Sequence, residues 1–269
     1  MTLEVETIRL VVLFVSFFGV ALWETFRPRR RLTESASRRW GMVFVLFLLN
    51  IGVVAAVGPE RSGGALAPVW VSAFAPSGWA AQLALGAALF VLLDLLYYAY
   101  HRVLHLVPLL WRVHAVHHSD RDLDVSTTYL HHPLENLVLL VVMGIGVAAA
   151  GFPGAVLVTY GIVATLLAPF QHGNIALPAA MERWLSLVLI TGNLHRAHHS
   201  TEMDEGNSNY GLVFSWWDRL FGTLTEVPKA DHEGLAFGIG AFEGPGRQSL
   251  LGLLAAPFRM ASPLSPIPR

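Results

Sequence analysis

LALGAALFVLLDLLYYAYHRVLHLVPLLWRVHAVHH, residues 83–118, runs from an apolar stretch of membrane grade straight into five histidines. Its first half is long enough for a helix across a bilayer, which takes about 20 apolar residues. Its second half sets imidazoles at His101, His105, His114, His117 and His118 just past that helix. Residues three and four apart share a helix face, so each histidine cluster is expected to aim its rings at one point. Pro108 is expected to end the helix and let HAVHH form a separate segment folding back toward His101 and His105. Imidazoles so gathered at the mouth of a helix bundle point to a metal cage.

The rest of the 269-residue chain agrees with a membrane setting. Hydrophobic residues make up 54% and charged residues 14%, with a mean hydropathy of +0.52, too little charge to cover a water-facing surface. Further apolar runs give candidate spans at 6–24, 40–58, 80–100, 134–151 and 154–170, and a shorter apolar piece at 184–190. The last two spans are separated by GFPG alone, a tight hairpin that need not cross the bilayer fully. The first run has acidic residues before it and arginines after it, the reverse of a secretory signal peptide, and reads as a retained helix.

Six arginines in the first loop, FRPRRRLTESASRRW, against Arg61 alone in the second, place the first loop in the cytoplasm. Alternation then puts all twelve histidines on that same face, in what reads as a bacterial-type inner membrane. Trp23 and Trp40 at one level and Trp70 and Trp79 at the other suit interfacial belts. A net charge of −1 and the lack of a basic recognition element argue against a nucleic-acid partner, and zero cysteines exclude thiolate metal sites and thiol nucleophiles. The fold class expected is all-α: one integral-membrane bundle of four to five spans with a cytoplasmic histidine-rich helical cap. Within it, residues 1–79 are N-terminal helices and loops, 80–225 the catalytic region, and 226–269 a tail whose Pro-rich end, APFRMASPLSPIPR, is loosely ordered.

Eight histidines fall in three boxes: HRVLH (His101, His105), HAVHH (His114, His117, His118) and HRAHH (His195, His198, His199). A lone histidine at an interface is usually just hydrogen-bonded, but repeated imidazole at these spacings has little packing rationale. Four ligands satisfy a structural zinc and three a catalytic one, so this many donors imply two ions. Imidazole alone does not choose among zinc, copper, iron and nickel.

The three boxes resemble the HxxxH, HxxHH and HxxHH boxes of the fatty acid hydroxylase and sterol desaturase superfamily of integral-membrane di-iron oxygenases. HHPLEN at 131–136, FQHGNI around His172 and NYGLVFSWWDRLFGT at 209–223 are similar too, and the likeness runs from Leu93 to Thr223. It implies two iron ions, dioxygen as co-substrate, and hydroxylation or desaturation of a lipid such as a fatty acyl chain, sterol or carotenoid. The ligands it implies are His101, His105, His114, His117, His118, His195, His198, His199 and His172. Some members carry a second histidine four residues after the last of these, where this chain has Ala176; His132 is the candidate to fill that gap. His131 and His232 are left as non-ligands.

Asp94, inside the third span, shares a helix face with Tyr98, His101 and His105 and is expected to accept the non-ligating N–H of a ligand imidazole. Asp120, Asp122 and Asp124 are expected to form a solvated face, as are Glu202, Asp204 and Glu205. Electrons must come from an external donor, a ferredoxin, cytochrome b5-like protein or reductase, docking near Arg112, Arg121 or Arg196, because no haem, flavin or iron-sulfur motif is visible. Two other readings stay open. A zinc-dependent membrane hydrolase would need a general base that no H-E-x-x-H motif supplies, and a metal transporter or sensor would place polar groups at mid-membrane.

Overall fold

A computed structural model describes residues 3–57, 77–227 and 232–260; Arg61, Trp70 and the Pro-rich residues 261–269 lie outside them. Five long helices dominate: α1 (Leu3–Phe26), α2 (Ala36–Val57), α3 (Trp79–Leu106), and, after the short α4 (Pro108–His114), α5 (Pro133–Ala150) and α6 (Gly154–His172). All five are long and apolar enough to cross a bilayer, including the two hairpin helices of 18 and 19 residues. Shorter helices follow: α7 (Ala179–Leu185), α8 (Gly192–His198), α9 (Met203–Gly206), α10 (Trp216–Leu220) and α11 (Leu250–Arg259). Among the described residues the only β pairing is two isolated bridges, Leu189 with Phe214 and Ser200 with Phe237, so the all-α expectation holds.

Local sequence explains the breaks. Val107 is extended, and Pro108 opens α4 at its first position, where a missing N–H costs nothing. His132 caps α5 by accepting Leu134 N–H through Nδ1, and Pro133 follows as the first helical residue. Gly151, at φ 70°, closes α5 in the left-handed conformation, and Pro153 caps α6.

Loop 27–35 and the histidine-bearing segments sit at one end of the bundle, tied together by charge. Arg39, 4% exposed, donates to Asp120 Oδ1 at 3.0 Å and Oδ2 at 2.5 Å, to Asp124 Oδ2 at 2.7 Å, and to the carbonyl of Asp122. Asp122 Oδ2 accepts the main-chain N–H groups of Thr33 and Glu34, each at 2.6 Å. Glu24 Oε2, near the end of α1, accepts Val125 N–H and Asn174 N–H. The solvated face expected for Asp120, Asp122 and Asp124 is therefore corrected: Asp122 and Asp124 are fully buried, and all three grip the arginine loop. Glu202 and Asp204 are exposed as expected. Trp23 and Trp79 are exposed, whereas Trp40 packs on Phe17 and donates to Asp124. Residues 232–260 fold back over this end. Phe242, Leu253, Ala256 and Met260 join Val43 and Leu46 of α2 and Trp111 of α4 in one core, so residues 232–260 of the expected tail are packed, with a helix at Leu250–Arg259.

Candidate metal centre

Nine of the twelve histidines gather in two buried groups. His101, His105, His114, His118 and His198 form the first, and His117, His172, His195 and His199 the second, with one ring nitrogen from each residue lying within 4.8 Å of the others in its group. The expectation that each box aims at one point fails in an instructive way. HRVLH serves the first group alone, but HAVHH sends His114 and His118 to the first and His117 to the second. HRAHH does the reverse, sending His195 and His199 to the second and His198 to the first. Residues i and i+4 stay on one helix face, while the intervening histidine at i+3 is rotated toward the neighbouring group. The groups abut, with His118 stacked on His199 at 4.4 Å between ring centroids.

The hydrogen bonds at Nδ1 show what the groups are built for. His101 donates Nδ1–H to Tyr210 O at 2.9 Å, His117 to Leu130 O at 3.2 Å, His172 to Ala168 O at 2.8 Å and His198 to Ser208 O at 2.7 Å. His114 donates to Glu135 Oε1 at 2.8 Å. A neutral imidazole has one N–H, so once Nδ1 donates, Nε2 carries only a lone pair. Yet His101 Nε2 faces His114 Nε2 at 3.1 Å, and His117 Nε2 faces His172 Nε2 at 3.1 Å. Two bare lone pairs at that distance repel unless a cation lies between them; in the second group neither His117 nor His172 has a carboxylate partner to balance a proton instead, whereas in the first Glu135 stands at His114 Nδ1. Burial also pushes the His117, His118, His195 and His199 imidazoles well below the ordinary range, with neighbouring imidazoles adding to the shift, and lowers His198 to about 3. These five rings are thus held neutral, the form that ligates a metal.

The spacing carries further information. Nitrogens about 2.1 Å from a shared ion stand about 3.0 Å apart at a right angle and about 3.4 Å apart at the tetrahedral angle. The facing Nε2 pairs, which also include His114 with His118, His172 with His195 and His195 with His199, fall between 2.9 and 3.2 Å.

Other candidate residues fall outside the groups. His132 is spent on capping α5 through Nδ1 and on donating Nε2–H to Leu254 O at 3.2 Å. Ala176 is exposed on the loop after α6, and the second group stands at four imidazoles. His131 stacks on His117 at 4.2 Å and shares Glu135 Oε1 with His114, at 3.1 Å. His232 lies apart, its carbonyl accepting from Arg196.

Asp94 does not touch an imidazole: it accepts Tyr160 Oη–H, Val213 N–H, Phe214 N–H and Trp217 Nε1–H at 2.8–3.1 Å. With Asp218, which holds Tyr210 N–H and Gly211 N–H, it fixes the loop whose Tyr210 carbonyl orients His101. The carboxylate that does accept an imidazole N–H is Glu135, a residue whose helix-start position also has a plain structural explanation in the sequence. Its spacing of four from His131 in HHPLEN was the available signal. Arg196 is fully buried, donating to His232 O and stacked on Phe237, and so cannot belong to a docking surface as expected.

Fold and site together define an integral-membrane protein whose helix bundle carries, at one end, two buried imidazole groups that could each hold a metal ion. A profile of the family described as Fatty acid hydroxylase matches residues 86–223, just over half of the chain. The chain belongs to that family, a class of di-iron, histidine-box oxidoreductases. It is 32% identical over 189 residues to the ornithine lipid hydroxylase of Rhizobium tropici, covering 70% of this chain and 54% of that protein. The alkylglycerol monooxygenase of Homo sapiens is 27% identical over 150 residues, 56% of this chain and 32% of the relative. A cholesterol 25-hydroxylase-like protein of Danio rerio is 30% identical over 139 residues, 51% of this chain and 54% of the relative. The chain thus spans about half, or less, of the length of these relatives. No solved structure matches.

Proposed function

We propose that the chain hydroxylates a membrane lipid with dioxygen, using an iron ion in each histidine group and electrons from a separate donor protein. The observation that carries the reading is the pair of bare lone pairs facing each other at 3.1 Å in each group. Iron held there would supply reductive activation of dioxygen, a reaction in which one oxygen atom is inserted into a C–H bond and the other leaves as water at the expense of two electrons and two protons. The chain's own residues fix and shield the site. Main-chain carbonyls and Glu135 set the imidazole tautomers, and the ring of Tyr210 lies 5.0 Å from His105 and 5.7 Å from His101 and His198, covering the first group.

The five spans bring the site within reach of a lipid tail, and the hydroxylase and monooxygenase names of the relatives support hydroxylation over desaturation. The arginine loop packed against the cap supports a cytoplasmic site, where a ferredoxin, a cytochrome b5-like protein or a reductase would dock near Arg112 and Arg121. The test is turnover in nanodiscs with a ferredoxin and its reductase under 18O2, on a panel of ornithine lipid, alkylglycerol, sterol and phospholipid. One lipid should gain a single 18O atom. If electrons are consumed without labelled product on the whole panel, the lipid hydroxylase reading fails.

A further inference from the structure

The sequence LLGLLAAPFR of α11 is apolar up to its terminal Arg259, yet protein covers only part of its circumference. Leu253, Ala256 and Met260 are buried against Val43 and Leu46 of α2 and Trp111 of α4. On another arc Leu251 is 76% and Phe258 74% exposed; they lie seven residues apart and so share a helix face, with the half-buried Leu254 and Ala255 between them. A helix apolar on every side belongs in a core or a membrane. Ten residues reach only about 15 Å, half the thickness of a hydrocarbon core, so α11 cannot span it.

Two observations say what covers the bare arc. The helix packs beside α2 at the level of Val43 and Leu46, and Leu46 lies about 10 Å along the span from Arg39. It thus packs on a helix that itself leaves Phe44 59% and Leu48 49% exposed along the same stretch. Charge also stands only at its ends, as Arg247 just before it and Arg259 at its last turn, where both can reach headgroups.

We propose that α11 is an interfacial helix, lying flat at the boundary of headgroups and acyl chains, and that it seats the cap on the bilayer. This goes beyond the proposed chemistry and does not depend on it. The seat is wired to the centre through His132, which donates Nε2–H to Leu254 O of α11 and caps the helix that begins beside Glu135.

The chain has no cysteine, so single-cysteine variants can be spin-labelled directly. L251C and F258C in lipid nanodiscs are compared by nitroxide relaxation with F44C as the lipid reference and S35C as the water reference, using dioxygen and a water-soluble nickel chelate as collision partners. Labels at 251 and 258 should be accessible to dioxygen and at least about fivefold less accessible to nickel than the label at 35. Nickel accessibility equal to that at 35 would overturn the proposal by showing an exposed face. Protection from both reagents would overturn it too, showing the arc covered by a second copy or by residues 261–269. F258C read beside L251C keeps the test valid if either variant folds poorly.

Discussion

The membrane helices and the cap bury opposite things. In their most apolar windows the five spans bury only 6–22% of residues, leaving leucine, valine and phenylalanine bare. In the cap the run from Val113 to Ser119 is buried throughout, as is Asp122 to Thr128, and these runs hold three histidines and two aspartates. Lipid completes the spans, so their side chains need little from each other. The cap must satisfy its polar groups internally, and its order depends on specific partners.

The largest effect in that comparison belongs to the ligands. His114→Ala and His195→Ala, one from each group, should each reduce turnover to background and lower bound metal, read by elemental analysis, while the helical circular dichroism of the spans persists. Next comes the cap's ion network. Arg39→Met strands buried Asp120 and Asp124 and should cost about 3–5 kcal/mol in thermal unfolding followed by tryptophan fluorescence. Phe44→Ala, on the bare face of α2, should change stability by no more than about 0.5 kcal/mol.

Glu135→Gln keeps an acceptor for His114 but removes its charge. Metal affinity should fall about 10–100-fold in a chelator competition, with Glu135→Asp recovering part of the loss. Acid sensitivity bears on the same imidazoles. His117, His118, His198 and His199 titrate lower in the folded protein than the ordinary 6.5, with His198 at about 3, so below 6.5 the unfolded chain binds protons that the native chain does not. Stability and metal retention are therefore complete above pH 6.5 and decline as pH falls toward 3. A chelator titration at pH 7.5 and 5.5 should show weaker retention at the lower value.

Much of this was legible in the sequence, for physical reasons. Apolar runs bounded by Pro108, Pro133 and GFPG located the helices, because length and breakers fix spans without knowledge of tertiary contacts. The boxes identified the histidines because ligand spacing is local. Which group each ring joins was not legible, since His114 and His117 sit three residues apart and part company only when α8 and α6 are in place. The roles of Asp120, Asp122 and Asp124 were misread for a similar reason. Acidic residues in a loop look solvated until Arg39, distant in the sequence, is packed against them. Asp94 was rightly singled out as a buried carboxylate, but its partners are Tyr160 of α6, Val213 and Phe214, and Trp217 of α10, which no helix-face argument from α3 reaches.

The central claim is that two groups of buried imidazoles each hold one iron ion. It is tested most directly by elemental analysis with Mössbauer spectroscopy of the protein purified after growth in iron-57. Close to two irons per chain, magnetically coupled, is the expected result. Zinc retained after iron-replete growth, with no iron taken up on reconstitution and no dioxygen consumed, would contradict it.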